Sequence, residues 1–210
     1  IDNLPYDAIL GLFDSSKNIY IHANGSREIT DAIEVSNEFG IKNMVIVGGY
    51  NSYKVIDLLK KYNIPVLAER THSLPNNVDD DYDMPYKLAK ILTDNGILVG
   101  LENSGDMERM NSRNLPFYAG QVVAEGMSKE QALQLITLNT AKILGIDNTY
   151  GTLEIGKSAT LFISEGDALD MRTNQLTHAF IDGRDISLET HQTKLYKRYT
   201  KKYQKEGLYK

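Results

Sequence analysis

A parallel α/β fold is predicted by three features of residues 1–145: four short apolar runs, a helix-period segment after each, and turn residues at the junctions. The runs are residues 18–23 (NIYIHA), 43–49 (NMVIVGG), 64–70 (IPVLAER) and 97–102 (ILVGLE). Their β-branched content and flanking Gly, Pro or Asn mark them as strands. Several are apolar at consecutive positions, which suits strands covered on both faces.

The segments between the runs carry helical stripes. Ile29, Ala32, Ile33 and Phe39 make one apolar face before Gly40. Val55, Leu58, Leu59 and Tyr62 fall at i, i+3, i+4 and i+7, and Met84, Leu88, Ile91 and Leu92 make a third stripe before Gly96. Ser128 and Gln131 form a capping box that opens a long helix through Leu133, Ile136, Ile143 and Leu144 to Gly145. Strands alternating with helices imply parallel strands joined by right-handed crossovers.

After Gly145 the pattern changes. Residues 151–164 (GTLEIGKSATLFIS) and 176–186 (LTHAFIDGRDI) have Gly-centred turns without helical period, so β-strands are expected there. The tail from Lys194 to Lys210 holds seven Lys/Arg and one Glu, with Leu195, Tyr199 and Tyr203 at i, i+4 and i+8. Its charge of about +6 leaves about -11 on the rest of the chain. Two readings stand for it: a terminal helix packed through its tyrosines on its own acidic body, or a polyanion-binding tail. The expected organisation is therefore residues 1–145, 146–190 and 191–210 as α/β part, β-segment and basic helix.

Composition sets wider bounds. The chain has 210 residues, 41% of them hydrophobic, enough for one good-sized core. A net charge of -5 gives no general electrostatic reason to expect nucleic acid or an anionic membrane as partner. Without cysteine there is no disulfide, thiolate metal site or cysteine nucleophile, and no compartment is assigned. No apolar run reaches the roughly 18 residues of a membrane span. The chain opens at Ile1 without a basic or apolar leader pattern, so its natural start is expected upstream.

Three strings carry a sharper signal. Residues 113–146 (RNLPFYAGQVVAEGMSKEQALQLITLNTAKILGI), 151–163 (GTLEIGKSATLFI) and 178–186 (HAFIDGRDI) resemble, in order and spacing, the end of the amidohydrolase superfamily barrel and the strands that follow it. The imidazolonepropionase-like branch is the nearest subgroup, and the resemblance covers essentially residues 18–190. It implies the C-terminal half of a TIM-type (β/α)8 barrel, about four βα units forming strands five to eight, followed by a small β-segment of a composite β-sandwich. These strings identify architecture, with Gly151, Gly156 and Gly183 expected at tight turns.

The same resemblance implies a hydrolase of a non-peptide C–N bond, with a cyclic amide among the expected substrates. One or two divalent metal ions, zinc by family habit, would activate water at the C-terminal ends of the strands. The family ligand set is a His-x-His pair on strand one, a histidine on strand five, often another on strand six, and an aspartate on strand eight. His22 matches the strand-five ligand, while Gly48 and Gly49 stand where the strand-six histidine would be. The strand-eight carboxylate is expected near Ser104, with Glu102 and Asp106 two residues to either side as candidate catalytic groups. His72, ending the strand-seven unit, is a candidate substrate-binding residue. The acidic run Asp79, Asp80, Asp81 and Asp83 is either a solvated loop or a site for a cation. His178 and His191 are expected to be structural.

The chain contains no His-x-His, and one histidine with one carboxylate falls short of the three protein ligands of a catalytic zinc site. This polypeptide alone is therefore expected to be inactive. The whole protein would act on a small molecule, with the missing half of the barrel, or self-association, covering the open sheet edges. The alternatives are a non-catalytic amidohydrolase-like binding or scaffold protein, and a self-sufficient four-stranded α/β domain.

Overall fold

The computed structural model describes residues 3–105 and 107–205. The chain divides into two units: residues up to Lys157 together with Ala168–Arg172, and Ser158–Asp167 together with the chain from Thr173 onward.

The first unit is built on four parallel strands in sequence order, β1 (Ile19–Ala23), β2 (Met44–Gly48), β3 (Val66–Ala68) and β4 (Val99–Leu101). Each falls inside one of the four apolar runs. Register is continuous across the sheet: His22 pairs with Val47, Val47 with Leu67, and Leu67 with Gly100. All of β2, β3 and β4 is buried, as parallel strands covered on both faces require.

Helix α1 (Leu4–Ile9) precedes the sheet, one face of which packs on helices α2 (Ser26–Glu38), α3 (Ile56–Lys61), α4 (Met84–Asp94), α5 (Leu115–Ala124) and α6 (Lys129–Ile136). Ile29, Ile33, Leu59, Leu88, Leu92, Val122 and Leu135 meet Ile46, Val66, Val99 and Leu101 there. Phe39 departs from the expected stripe. It is the residue on which α2 ends, its backbone has left the helix, and it is 60% exposed. Helix α5 has no clear polar face, so its periodicity is silent in the sequence.

The opposite, inner face carries Val45, Val47 and Leu67, packed with Leu98 and with Ile143 of a further helix, α7 (Leu138–Leu144). Asn139 Nδ2 donates to Val99 O (2.9 Å), while Asn18 Nδ2 and Tyr20 Oη donate to Ile143 O. Helix α7 thus crosses the inner face near the N-terminal ends of β1 and β4. A side chain at Gly100 would meet Thr140 Oγ1 at 2.7 Å and Leu67 Cδ2 at 2.9 Å, so the sheet is closely filled there.

The single long helix expected from Ser128 to Leu144 is two helices. The Ser128 capping box forms, with Ser128 Oγ accepting from Gln131 N–H. Thr137 then leaves helical geometry at φ -127°, ψ -93°. The hydroxyls of Thr137 and Thr140 donate to Leu133 O and Leu135 O, occupying carbonyls at the break. This local competition is a known property of Thr that hydrophobic periodicity does not reveal. Gly145 ends α7 in the left-handed conformation, as expected.

In the second unit β5 (Leu161–Ser164), β6 (Leu176–Ile181) and β7 (Arg184–Asp185) form an antiparallel sheet in that order. Residues 151–160 are turn and coil where strand was expected, with positive φ at Gly151 and Gly156 interrupting any ladder. Asp182 and Gly183, both at positive φ, make the two-residue β6–β7 turn. Helix α8 (His191–Lys205) has no buried residue. Tyr196, Tyr199 and Tyr203 are exposed, Tyr199 and Tyr203 stack on one another, and Lys197 pairs with Glu189.

Gly120 of α5 marks the tightest helix contact. A Cβ there would lie 2.1 Å from Leu169 O, a backbone atom that cannot give way cheaply. Gly120→Ala should therefore lower unfolding stability by about 2–3 kcal/mol. A reduced urea midpoint with an unchanged slope would report it.

Candidate functional site

Strand alternation and register decide which side chains reach the C-terminal rim of the inner face. His22, Val47, Leu67 and Gly100 occupy one inner row. The pairing continues past the strands, since Glu69 N–H donates to Gly48 O and Glu102 N–H to Ala68 O. One pleat higher, Asn24, Glu69 and Glu102 follow on the inner side, while Gly49, at φ +64°, turns toward Ile46 and Val66 on the helix-covered face. These rows open into a cavity of about 520 Å³ lined by His22, Asn24, Val47, Glu69, Arg70 and Glu102, among others.

The Gly48–Gly49 pair has a backbone reason. Gly48 has φ +91° and Gly49 φ +64°, and a Cβ on Gly48 would lie 2.5 Å from Asn24 Oδ1. Asn24 Oδ1 accepts from Tyr50 N–H, Gly49 N–H donates to Ala23 O, and Asn51 N–H donates to Asn24 O. The loop after β2 is thereby clamped on the end of β1. The space above Gly48 is taken by Asn24, and β2 offers no side-chain ligand at its tip.

Each candidate has a definite place. His22 sits at the end of β1 on the inner face, exposed to the cavity. Glu102 lies just past β4 and accepts a hydrogen bond from Ser104 N–H. Both line the cavity, but on the first and fourth strands, about three strand spacings or 14 Å apart along the sheet. Asp106 lies outside the described residues. His72 does not line the cavity. Its ring meets that of Tyr118 edge-on at 5.0 Å, and partial burial pushes its pKa down. Neighbouring Thr71 is buried and donates to Tyr118 O, tying this segment to α5.

Two members of the acidic run serve the loop itself. Asp80 accepts from Tyr50 Oη and from Asn77, and these hydrogen bonds, Tyr50 first, hold its pKa down. Asp83 pairs with Lys87 at 2.5 Å. Among the described residues no group of three or more His, Asp or Glu side chains is arranged to hold a metal ion.

Glu69 is the residue that sequence reading missed. Burial first, and the nearby Glu102 charge second, push its carboxyl pKa up, with Arg70 opposing. Its signal was present in IPVLAER, an apolar strand ending in Glu like ILVGLE, with Glu69 sharing parity with Leu67.

A raised carboxyl pKa means the unfolded chain releases this proton first. The stability Glu69 contributes is fully present below the ordinary value of 4.5 and is lost as pH rises through the higher folded value. Glu69→Gln should remove that loss, so its stability relative to wild type should rise from pH 4 to pH 7. Urea unfolding at stepped pH measures this. A difference that stays constant or falls over the range would contradict the assigned environment.

Comparison with known proteins fits this geometry. The model of the amidohydrolase family matches residues 14–188. No curated protein sequence gives a significant match. Among solved structures, an amidohydrolase from Thermotoga maritima MSB8 superposes with a TM-score of 0.79 at 25% identity, over 89% of this chain and 48% of that one. A zinc-bound adenosine deaminase from Xanthomonas campestris gives 0.56 at 15% identity, over 95% and 54%. A Xaa-Pro dipeptidase with bound methionine gives 0.60 at 17%, over 83% and 46%. The chain thus spans about half the length of the structures it matches.

Proposed function

The chain belongs to the amidohydrolase family, and from that premise we propose that it supplies strands five to eight of a closed barrel whose whole hydrolyses a non-peptide C–N bond. The observation carrying this is His22, which ends a strand of a parallel sheet, faces inward and opens on the cavity. The three strings between Arg113 and Ile186 support the imidazolonepropionase-like branch, and with it a small cyclic amide or amidine-like substrate. They also support β5–β7 as part of a composite β-sandwich, with residues 1–145, 146–190 and 191–210 as successive parts.

Among the described residues the chain's own donors do not complete a catalytic metal site. One imidazole stands at the rim, Asn24 fills the space above Gly48, and no three-donor group exists among the described residues. Three protein ligands are the rule for catalytic zinc. In our reading His22 is this half's contribution, and the remaining ligands of a divalent ion belong to strands this chain lacks. Hydrolysis needs a group that takes a proton from water and returns one to the leaving nitrogen. We assign that role to Glu102, whose carboxylate Ser104 N–H orients.

Partner chemistry follows from what stays open. Among the described residues the β1 and β4 edges of the four-stranded sheet are unpaired. Leu4, Tyr6, Ile9, Leu10 and Phe13 are exposed ahead of β1, as is Tyr20 on the strand itself. Such surface suits the missing half of the barrel, or failing it a second copy of this chain.

Two measurements test the reading. The 210-residue chain should sediment with a concentration-dependent coefficient; a flat monomer would contradict the open-barrel assignment. The full-length protein grown with zinc should carry about one divalent ion per chain, reduced several-fold by His22→Ala. Absence of metal from the wild type would favour the non-catalytic relative.

A further inference from the structure

Helix α8 separates two kinds of side chain that the net charge of the whole chain conceals. Its sequence, HQTKLYKRYTKKYQK, holds six Lys/Arg and no Asp or Glu. At about 100° per residue, Leu195, Tyr196, Tyr199 and Tyr203 fall within one arc of about 100°. Lys194, Lys197, Arg198, Lys201, Lys202 and Lys205 fall within an arc of about 140° on the other side. Tyr196, Tyr199 and Tyr203 are 63%, 47% and 40% exposed, and the helix buries no residue. The Tyr199 and Tyr203 rings stack at 6.3 Å, as neighbours on one stripe do.

The basic face carries more charge than its neighbours answer. Glu189 pairs with Lys197 at 3.0 Å and Lys194 at 4.0 Å, while Arg198, Lys201, Lys202 and Lys205 form no salt bridge among the described residues. Lys197 and Lys201, Arg198 and Lys202, and Lys201 and Lys205 are like charges four residues apart, an arrangement that weakens a helix. An extended anionic surface relieves this repulsion along the whole helix length of about 22 Å. A single bound ion does not.

We propose that α8 lies flat on the anionic surface of a lipid bilayer, its tyrosine stripe at the headgroup–acyl boundary and its basic groups at the phosphates. Tyrosine suits that boundary because its ring is apolar and its hydroxyl stays wet. The aliphatic stems of Lys and Arg lie along the apolar layer while their charged ends reach back to water and phosphate. Among the described residues no helix is long and apolar enough to cross a membrane, so the contact is with the surface. Single-stranded nucleic acid, the rival polyanion, needs rings and cations on one face, since its bases stack where its phosphates pair. Helix α8 puts them on different faces. With Leu195 its one aliphatic residue in the stripe, the apolar face is too weak to hold alone, so attachment depends on anionic lipid and is lost in salt. This role is independent of C–N bond hydrolysis and of the barrel reading.

Flotation of the 210-residue chain with vesicles tests it, because bound protein rises with lipid while self-associated protein sinks. Vesicles of mixed phosphatidylcholine and phosphatidylserine should lift the chain at low salt, and pure phosphatidylcholine vesicles should not. Lys201→Gln/Lys202→Gln should weaken binding at least about ten-fold, at about five-fold per charge. Tyr199→Ser/Tyr203→Ser keeps the charge and a similar helix propensity, and should still weaken binding several-fold. Lys60→Gln, exposed on α3, should change nothing and controls for diffuse charge. Circular dichroism should show more helix on adding anionic vesicles to the wild type and an unaltered fold in each variant. Absence of flotation with anionic vesicles, or equal flotation with neutral ones, would overturn the proposal. Binding at the wild-type level by either α8 variant would do the same. If the tyrosine variant is unaffected and a single-stranded oligonucleotide competes the chain off the vesicles, the basic face belongs to nucleic acid instead.

Discussion

Burial of β2 and β3 on both faces, combined with strict alternation of side chains, is the constraint on which the molecule depends. Met44, Ile46 and Val66 must face the helices, and Val45, Val47 and Leu67 must face inward. A slip of one residue would exchange the two sets and place Glu69 and Glu102 beneath α4 and α5, among apolar side chains. Register and chemistry are therefore set together. The row that keeps the hydrophobic contacts intact is also the row that brings His22, Glu69 and Glu102 to the rim.

The inner face is divided along the strand direction. Near the N-terminal ends, α7 occupies the space, its Ile143 joining Val45, Val47 and Leu67 and its Thr140 closing on Gly100. The break at Thr137 is what frees α7 from the line of α6. Near the C-terminal ends nothing of comparable size intrudes among the described residues, and the cavity opens there. Stability at one end of the strands and polar groups at the other is the division expected of barrel-type α/β enzymes.

The fold was legible wherever a side chain's environment follows from period alone. All four strands lie within the apolar runs, and the stripes through Ile29, Leu59 and Leu88 are buried. What escaped reading depends on partners distant in sequence. The break at Thr137 rests on hydroxyls reaching carbonyls of the preceding turn. Helix α5 is apolar without a clear face, so its packing on α4 and α6 is a tertiary fact. Of the residues lining the cavity, His22 and Glu102 are legible from strand ends. Glu69 follows from the same rule, whereas the family pattern points only to the strand-eight position. His72 looked like a pocket residue because it follows a strand. The chain bends from Thr71, however, and Thr71 ties it to Tyr118, so His72 does not join Glu69 and Arg70 in the cavity lining. The role of Gly48 required knowing that Asn24, more than twenty residues earlier, lies directly above it.

Because the chain has no cysteine, paired substitutions can test the shared row directly. Adjacent parallel strands place paired Cα atoms about 4.8 Å apart, within disulfide range when both side chains share a face. The double variant Glu69→Cys/Glu102→Cys should oxidise readily to an intramolecular disulfide under native conditions, and Arg70→Cys/Glu102→Cys should not. Ready oxidation of the second pair with failure of the first would mean that Glu69 and Glu102 face opposite sides of the sheet.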